Sequence, residues 1–241
     1  MKLGPFKFEY HHQDPEIGRL HDFASQDQVD KILNLIQGKT ISTPYFVGGS
    51  QKSYSKERTS KVGYLNETFV PEAMVISKNI ELATRFKIIS KLFASENYQV
   101  MNYGLGGKID PHVDSLGQIF GSYVKDFNDI QDSYFENSAE SSNYGGLRIL
   151  TFMLYLSTVD AGGHTIFPQT GISIKPELGS VLFWFNIGAR NNHDSRIRHL
   201  GCPVLYGNKW IANKWIKWLS NFNTYPCLIR NDHYSINKKC M

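Results

Sequence analysis

The chain has 241 residues, 41% of them apolar and 20% charged, the balance of an ordinary globular protein with material for one sizeable core. Its net charge of +4 is mild and spread along the chain, which argues against a nucleic-acid surface, and the Lys238–Lys239 pair reads as a solvated tail. No window approaches the roughly 18 apolar residues of a membrane span, and Met1 to Lys7 lacks the apolar stretch of a signal peptide, so the bare chain would stay in the cytosol. In chain order, residues 6–10 and 19–23 are expected as short strands. Ser25 then offers an N-cap and Gln28 completes a capping box. Val29, Ile32, Leu33 and Ile36 follow at helical spacing, with Gly38 as the stop. Residues 40–65 read as a strand, a Gly-Gly-Ser turn and a polar loop. Pro71 opens a helix expected to run to about residue 95, with Leu82, Phe86, Ile89 and Phe93 as its buried stripe.

Strand character resumes at residues 98–103. Residues 115–146, rich in Ser, Asn, Asp and Gly, show no sustained period and are expected to form a long, mobile loop, a candidate lid. Beyond it the pattern is strongly β: 147–157, a Gly162-Gly163 turn, 164–168, 172–175, 181–187, His199, 204–206 and 209–218. Many short strands with Gly and Pro turns predict an α+β, mainly β fold. Its core would be a double-stranded β-helix, or jelly roll, with a supporting N-terminal helical layer. A single domain is expected, with helical support over 1–97, the core over 98–218 and a tail over 219–241.

The chemistry centres on residues 102–114, which end in the pair His112 and Asp114. In a strand, residues two apart point to the same face, so imidazole and carboxylate would enter one cavity. His199 lies in a second strand-like stretch, and Lys209 follows it. Two His and one carboxylate form the facial triad of non-haem Fe(II) oxygenases, with positions left open for a cosubstrate and O2. Lys209 alone could be an exposed lysine in a turn. Placed behind such a triad, it is the candidate cation for the second carboxylate of a bidentate acid. Cys202, Cys227 and Cys240 read, on the residues alone, as free buried thiols.

The pieces Asn-Tyr-Gly-x-Gly-Gly from Asn102, Pro-His-x-Asp from Pro111 and Arg-Ile-x-Thr from Arg148 carry a resemblance. So do Ala-Gly-Gly-x-Thr-x-Phe-Pro from Ala161, Phe-Trp-Phe-Asn from Phe183 and Arg-His-x-x-Cys-Pro-Val-Leu-x-Gly-Asn-Lys-Trp from Arg198. From about residue 3 to 227 the chain resembles the catalytic domain of collagen-type prolyl 4-hydroxylase α subunits, which are Fe(II)- and 2-oxoglutarate-dependent oxygenases. The resemblance implies His112, Asp114 and His199 as iron ligands, with Lys209 pairing the distal carboxylate of 2-oxoglutarate. It implies Tyr103 and Thr165 beside that carboxylate and Trp215 in the pocket wall. Arg58 and Arg148 fall where related enzymes contact the peptide; as residues alone, each could equally sit in a surface ion pair. The implied reaction decarboxylates 2-oxoglutarate to succinate and leaves an oxidant that hydroxylates C4 of a peptidyl proline in a proline-rich or collagen-like peptide. L-ascorbate rescues iron oxidised in uncoupled turnovers.

The same resemblance implies a Cys202–Cys227 disulfide, worth about 3 kcal/mol by loop entropy, and the endoplasmic reticulum lumen. The Asn66-Glu67-Thr68 sequon fits that compartment. The family's N-terminal dimerisation and peptide-binding regions are missing, which leaves assembly with protein disulfide isomerase open.

Departures from the family concentrate at the substrate side. Ile109 stands where relatives usually carry an aromatic, Ser115 replaces another, the 115–146 loop is long, and His164 takes a place commonly held by Ala or an acid. These changes leave two alternatives: a 2-oxoglutarate oxygenase with another substrate, or a non-catalytic relative that binds proline-rich peptides. The intact triad and Lys209 argue against the second, because a non-catalytic copy has no chemical need for all four.

Overall fold

Along residues 181–185 every side chain is buried, yet the run feeds two different cores. Val181, Phe183 and Phe185 join one, and Leu182 and Trp184 the other. A strand that alternates between two apolar surfaces must be covered on both faces, and that requirement organises the molecule. The computed structural model describes residues 6–37, 41–42, 45–46, 53–54, 59–89, 94–114, 148–187, 194–218, 220–221 and 223.

The chain runs through β1 (Lys7–Gln13), β2 (Glu16–His21), α1 (Gln26–Ile36), β3 (Ile41–Ser42), β4 (Tyr45–Phe46), β5 (Ser53–Tyr54), β6 (Lys61–Leu65) and α2 (Pro71–Thr84). It continues through β7 (Tyr98–Tyr103), β8 (Ile109–His112), β9 (Arg148–Tyr155), β10 (Ala161–Gly162), β11 (Thr165–Phe167), β12 (Ile172–Ile174), β13 (Val181–Phe185), β14 (His199–Gly201), β15 (Val204–Tyr206) and β16 (Lys209–Lys217). Eight strands form the large sheet in the order β1-β2-β13-β9-β16-β7-β6-β3, and four form a smaller one, β12-β11-β14-β8. The pairs β10-β15 and β4-β5 stand apart from both.

Between the large and small sheets lies a core of Met101, Tyr103, Met153, Tyr155, Trp184 and Ile211 from the first and Phe167 and Ile174 from the second. The helices cover the opposite face of the large sheet, where Val29, Ile32, Ile36, Ala73, Ile76 and Ile80 meet Phe152, Leu154 and Phe183. The fold is the expected jelly roll with a helical support. No helix among the described residues is long and apolar enough to cross a membrane.

Helix α1 forms as its sequence dictates. The Ser25 hydroxyl accepts from the Gln28 backbone N–H, and the Gln28 side chain accepts from the Ser25 N–H, closing the capping box. Helix α2 departs from expectation, because it ends at Thr84 rather than near residue 95. Arg85 adopts the left-handed conformation with φ 62°, which stops a right-handed helix. Glu81 then turns back to accept the backbone N–H groups of Ile88 and Ile89 at 2.7 and 2.8 Å. The anticipated stripe is corrected accordingly. Leu82 is exposed, and the buried face is Ala73, Ile76, Ser77 and Ile80. Phe86 and Ile89 still reach the core, from extended chain, while Phe93 lies outside the described residues, as does the whole anticipated lid over 115–146.

Candidate metal centre and cosubstrate site

β8 and β14 are antiparallel neighbours in the small sheet, and their register sets His112 directly opposite His199. Non-sequential residues on facing strands thereby become partners, with ring centroids 4.3 Å apart. Asp114 follows β8 by two residues and turns its carboxylate to the same spot. His112 Nε2 lies 3.5 Å from Asp114 Oδ1, and His199 Nε2 lies 3.9 Å from Oδ2. One ligand atom from each of the three falls within 4.8 Å of the others.

The surroundings prepare these atoms for a metal. His112 Nδ1 is 2.9 Å from the Asp110 carbonyl and His199 Nδ1 is 3.1 Å from the Ile197 carbonyl. A carbonyl can only accept, so each Nδ1 carries the proton and each Nε2 keeps its lone pair for an ion. Burial pushes the His199 imidazole down to about 4, so it is neutral at neutral pH, the form that ligates. Burial alone would raise the Asp114 carboxyl, but His199, His112 and Arg148 outweigh it and hold the group below the usual carboxylate range. The donor set of two imidazole nitrogens and one carboxylate fits a divalent iron ion with one face left open.

Two residues outside the expected site hold Asp114. Thr151 Oγ1 donates to Asp114 Oδ2 at 2.8 Å and itself accepts from Asn186 Nδ2 at 2.9 Å. Both lie in motifs quoted above, Arg-Ile-x-Thr and Phe-Trp-Phe-Asn, but their partnership needs β9 and β13 to be neighbours, which no local pattern reveals. Arg148 adds a bond to the Asp114 carbonyl at 3.4 Å.

The same cavity reaches Lys209. It is lined by His112 and His199 at one end, by Thr165 and Lys209 at the other, and by Tyr103, Ile109, Met153, Trp184, Ile211 and Asn213 among others. Lys209 is 3% exposed; among the described residues it pairs with no carboxylate, and its ammonium donates to Thr165 Oγ1 at 3.2 Å. It lies 5.8 Å from the ring centroids of both Tyr103 and Tyr155. Tyr155, not anticipated from sequence, shares a 2.9 Å hydrogen bond with Thr165 Oγ1. Burial pushes the Lys209 ammonium down to about 7. A desolvated cation with only a hydroxyl for company is built to receive an anion.

The remaining candidates sit elsewhere. Trp215 lies under the guanidinium of Arg148, 3.7 Å from its ring centroid, rather than beside Lys209. Arg148 itself is engaged by the Glu96 carboxylate through Nε and Nη2, each at 2.7 Å. His164 is half-buried, with Nδ1 3.2 Å from the Gly162 carbonyl. Cys202 forms no disulfide among the described residues; Cys227, Cys240 and Arg58 lie outside them.

The chain is similar to known proteins in sequence and in fold. Residues 98–217 match the model of the 2OG-Fe(II) oxygenase superfamily. The chain is 33% identical over 229 residues to prolyl 4-hydroxylase subunit alpha-2 of Gallus gallus, covering 93% of this chain and 38% of that one. It is 32% identical over 228 residues to subunit alpha-3 of Homo sapiens, with the same coverage. The chain thus spans less than two fifths of these relatives. Among solved structures, a viral collagen prolyl hydroxylase from Paramecium Bursaria Chlorella virus-1, in its 2OG complex, superposes with a TM-score of 0.54 at 23% identity, covering 83% of this chain and 94% of that one. A prolyl hydroxylase from Trichoplax adhaerens, bound to a hypoxia inducible factor peptide, gives a TM-score of 0.55 at 18% identity, covering 83% of each. Both share the fold. With its triad, its buried lysine and its matching core, this chain belongs to the 2OG-Fe(II) oxygenase superfamily.

Proposed function

We propose that this chain is a peptidyl-proline 4-hydroxylase, which uses Fe(II), O2 and 2-oxoglutarate to convert a proline of a proline-rich or collagen-like peptide to 4-hydroxyproline, releasing succinate and CO2. One observation carries the reading: a three-residue ligand set for one metal has two of its members lining a cavity that also holds a buried lysine, one that pairs with no carboxylate among the described residues, in a chain 33% identical to a prolyl 4-hydroxylase α subunit.

Iron held by His112, Asp114 and His199 would supply the activation of O2 that is coupled to decarboxylation of the acid. The protein supplies everything around it. His112 and His199 present deprotonated Nε2 atoms, and Thr151 with Asn186 keeps the Asp114 carboxylate aimed. Lys209 takes the distal carboxylate of 2-oxoglutarate with help from the Thr165 hydroxyl, while Tyr103 closes that end. Trp184, Ile211 and Met153 keep the cavity apolar, which strengthens the charge pairing and limits access of water. On the peptide side, Ile109 offers an apolar wall to a pyrrolidine ring, and Arg58 and Arg148 are assigned to peptide contact, while Trp215 backs Arg148 in the wall of the site.

The reading extends to L-ascorbate as the reductant that restores iron, to the endoplasmic reticulum lumen and to association with protein disulfide isomerase, on the strength of the resemblance and the 66–68 sequon. A Cys202–Cys227 bridge belongs to the same setting. It predicts that in oxidised, folded protein only Cys240 reacts with a thiol reagent; reactive Cys202 would remove the bridge from the proposal.

The deciding assay is succinate release by the iron-loaded protein, with and without a (Pro-Pro-Gly)-repeat peptide, alongside His199→Ala. Peptide-stimulated turnover that yields 4-hydroxyproline and vanishes in the variant is expected. Turnover that ignores the peptide would move the substrate elsewhere while keeping the iron chemistry.

A further inference from the structure

We propose that Met153 is a self-oxidation site: in turnovers without bound peptide, its thioether takes the oxygen atom otherwise inserted into the substrate. This rests on the oxygenase reading above.

Position is the argument. On the inner face of β9, Thr151, Met153 and Tyr155 follow one another at the strand period of two. Thr151 holds Asp114 at the metal end. Tyr155 is bonded to Thr165, to which Lys209 donates, at the other end. Met153 is therefore midway along the path that a 2-oxoglutarate stretched from metal to lysine must occupy. It lines the cavity together with His112, His199 and Lys209 and is 4% exposed, so bulk oxidants reach it poorly.

Its chemistry suits the role. A thioether is a soft, polarizable acceptor of a single oxygen atom. The cavity contains a second one, Met101, but the Tyr103 hydroxyl donates to Met101 Sδ at 3.4 Å and engages a lone pair there. Among the described residues the Met153 sulfur has no such donor. Trp184 also lines the cavity, packed 4.6 Å from the His199 ring, yet it lacks a sulfur lone pair.

The balance closes without further reagents. One atom of O2 enters the new carboxylate of succinate as 2-oxoglutarate loses CO2. The other forms an S–O bond with a Met153 lone pair, the sulfur gives up two electrons and no proton moves, so 2-oxoglutarate, O2 and the thioether become succinate, CO2 and the sulfoxide. A peptide in place receives that atom at a C–H bond instead, so substrate protects the residue. The sulfoxide sets a polar group beside Leu182 and Asn213, its register partners, so turnover without substrate limits itself.

The test incubates the full chain with Fe(II), 2-oxoglutarate and isotopically labelled O2, measuring succinate and the mass of the fragments that carry Met153, Met101 and Met74. The expected result is labelled oxygen on Met153 that grows with succinate and exceeds the label on Met74, which lies on α2 across the large sheet from the cavity, several-fold. It falls when (Pro-Pro-Gly) peptide is added and is absent in His199→Ala. Succinate release with Met153 unlabelled overturns the proposal. Equal label on Met74, or label without 2-oxoglutarate, assigns the oxidation to a diffusible species and overturns it as well. No succinate at all sinks the oxygenase reading, and this inference with it.

Discussion

Three lysines of β16, Lys209, Lys214 and Lys217, are all buried, and what separates them is company. Lys214 is paired with Glu67 and Lys217 with Glu96, whereas Lys209 faces the cavity and a threonine hydroxyl. Burial holds its ammonium at about 7 in the free protein, and a bound carboxylate must raise that value again. The sign follows: below neutral pH the lysine is already charged and 2-oxoglutarate affinity is flat. Above it, binding must take up a proton, so affinity falls with rising pH, approaching about tenfold per pH unit. Calorimetry with a redox-inert divalent metal should show this slope and proton uptake, and Lys209→Arg, whose charge does not titrate, should flatten it. An affinity independent of pH in the wild type would mean that Lys209 does not bind the acid. Thr151 makes the second prediction at this scale. Thr151→Val keeps the shape but removes the donor to Asp114 Oδ2, and metal affinity should drop about 10–100-fold, as for other partners of ligand side chains. Thr151→Ser should restore most of it in a metal titration.

At the scale of elements, β7, β9 and β16 are joined by a buried ionic cluster as well as by their hydrogen-bonded ladders. Glu96, just ahead of β7, accepts from Arg148 of β9 twice and pairs with Lys217 of β16. Removing the carboxylate takes the negative charge away from buried Lys217 and half-buried Arg148, so Glu96→Gln should cost roughly 3–5 kcal/mol, readable as a lowered denaturation midpoint with unchanged slope. A change below about 1 kcal/mol would place the cluster in the solvated class of ion pairs. This cluster was not legible in the sequence, because its members are scattered over more than a hundred positions and meet only through strand order. Local features were legible. The capping box at Ser25 and Gln28 formed as written, and the continuous apolar runs of β9 and β13 became strands buried on both faces because both faces of the large sheet are covered. The apolar spacing past Thr84 misled for a physical reason: Phe86 and Ile89 are apolar because they reach the core, but they do so after Arg85 has broken the helix and Glu81 has captured the next N–H groups. The triad and Lys209 could be read ahead because metal chemistry fixes residue types. Asn186, Thr151 and Tyr155 could not, since their roles depend on which strands are neighbours.

The whole molecule explains why the metal should matter to stability and not only to chemistry. His112 and His199 stand on adjacent strands of the small sheet, while Asp114, on the chain leaving β8, is anchored by Thr151 of the large one. An ion bound to all three therefore ties the two layers of the jelly roll together across their shared core. Without it, three ligand groups with an acidic and two basic partners crowd one spot, and only hydrogen bonds orient them. Binding to the folded state alone stabilises by about 2.7 kcal/mol at a hundredfold excess of ligand over Kd. For a chain of 241 residues that corresponds to a rise in Tm of roughly 5–10 °C. Thermal melts should show this rise with a redox-inert divalent metal, its reversal by a chelator, and its absence in His199→Ala. A further rise on adding 2-oxoglutarate should require both the metal and Lys209, because the acid spans the two ends of the cavity. If 2-oxoglutarate raised Tm equally in His199→Ala, the acid would be held by the lysine end alone, and the joint site inferred from the shared cavity would fail.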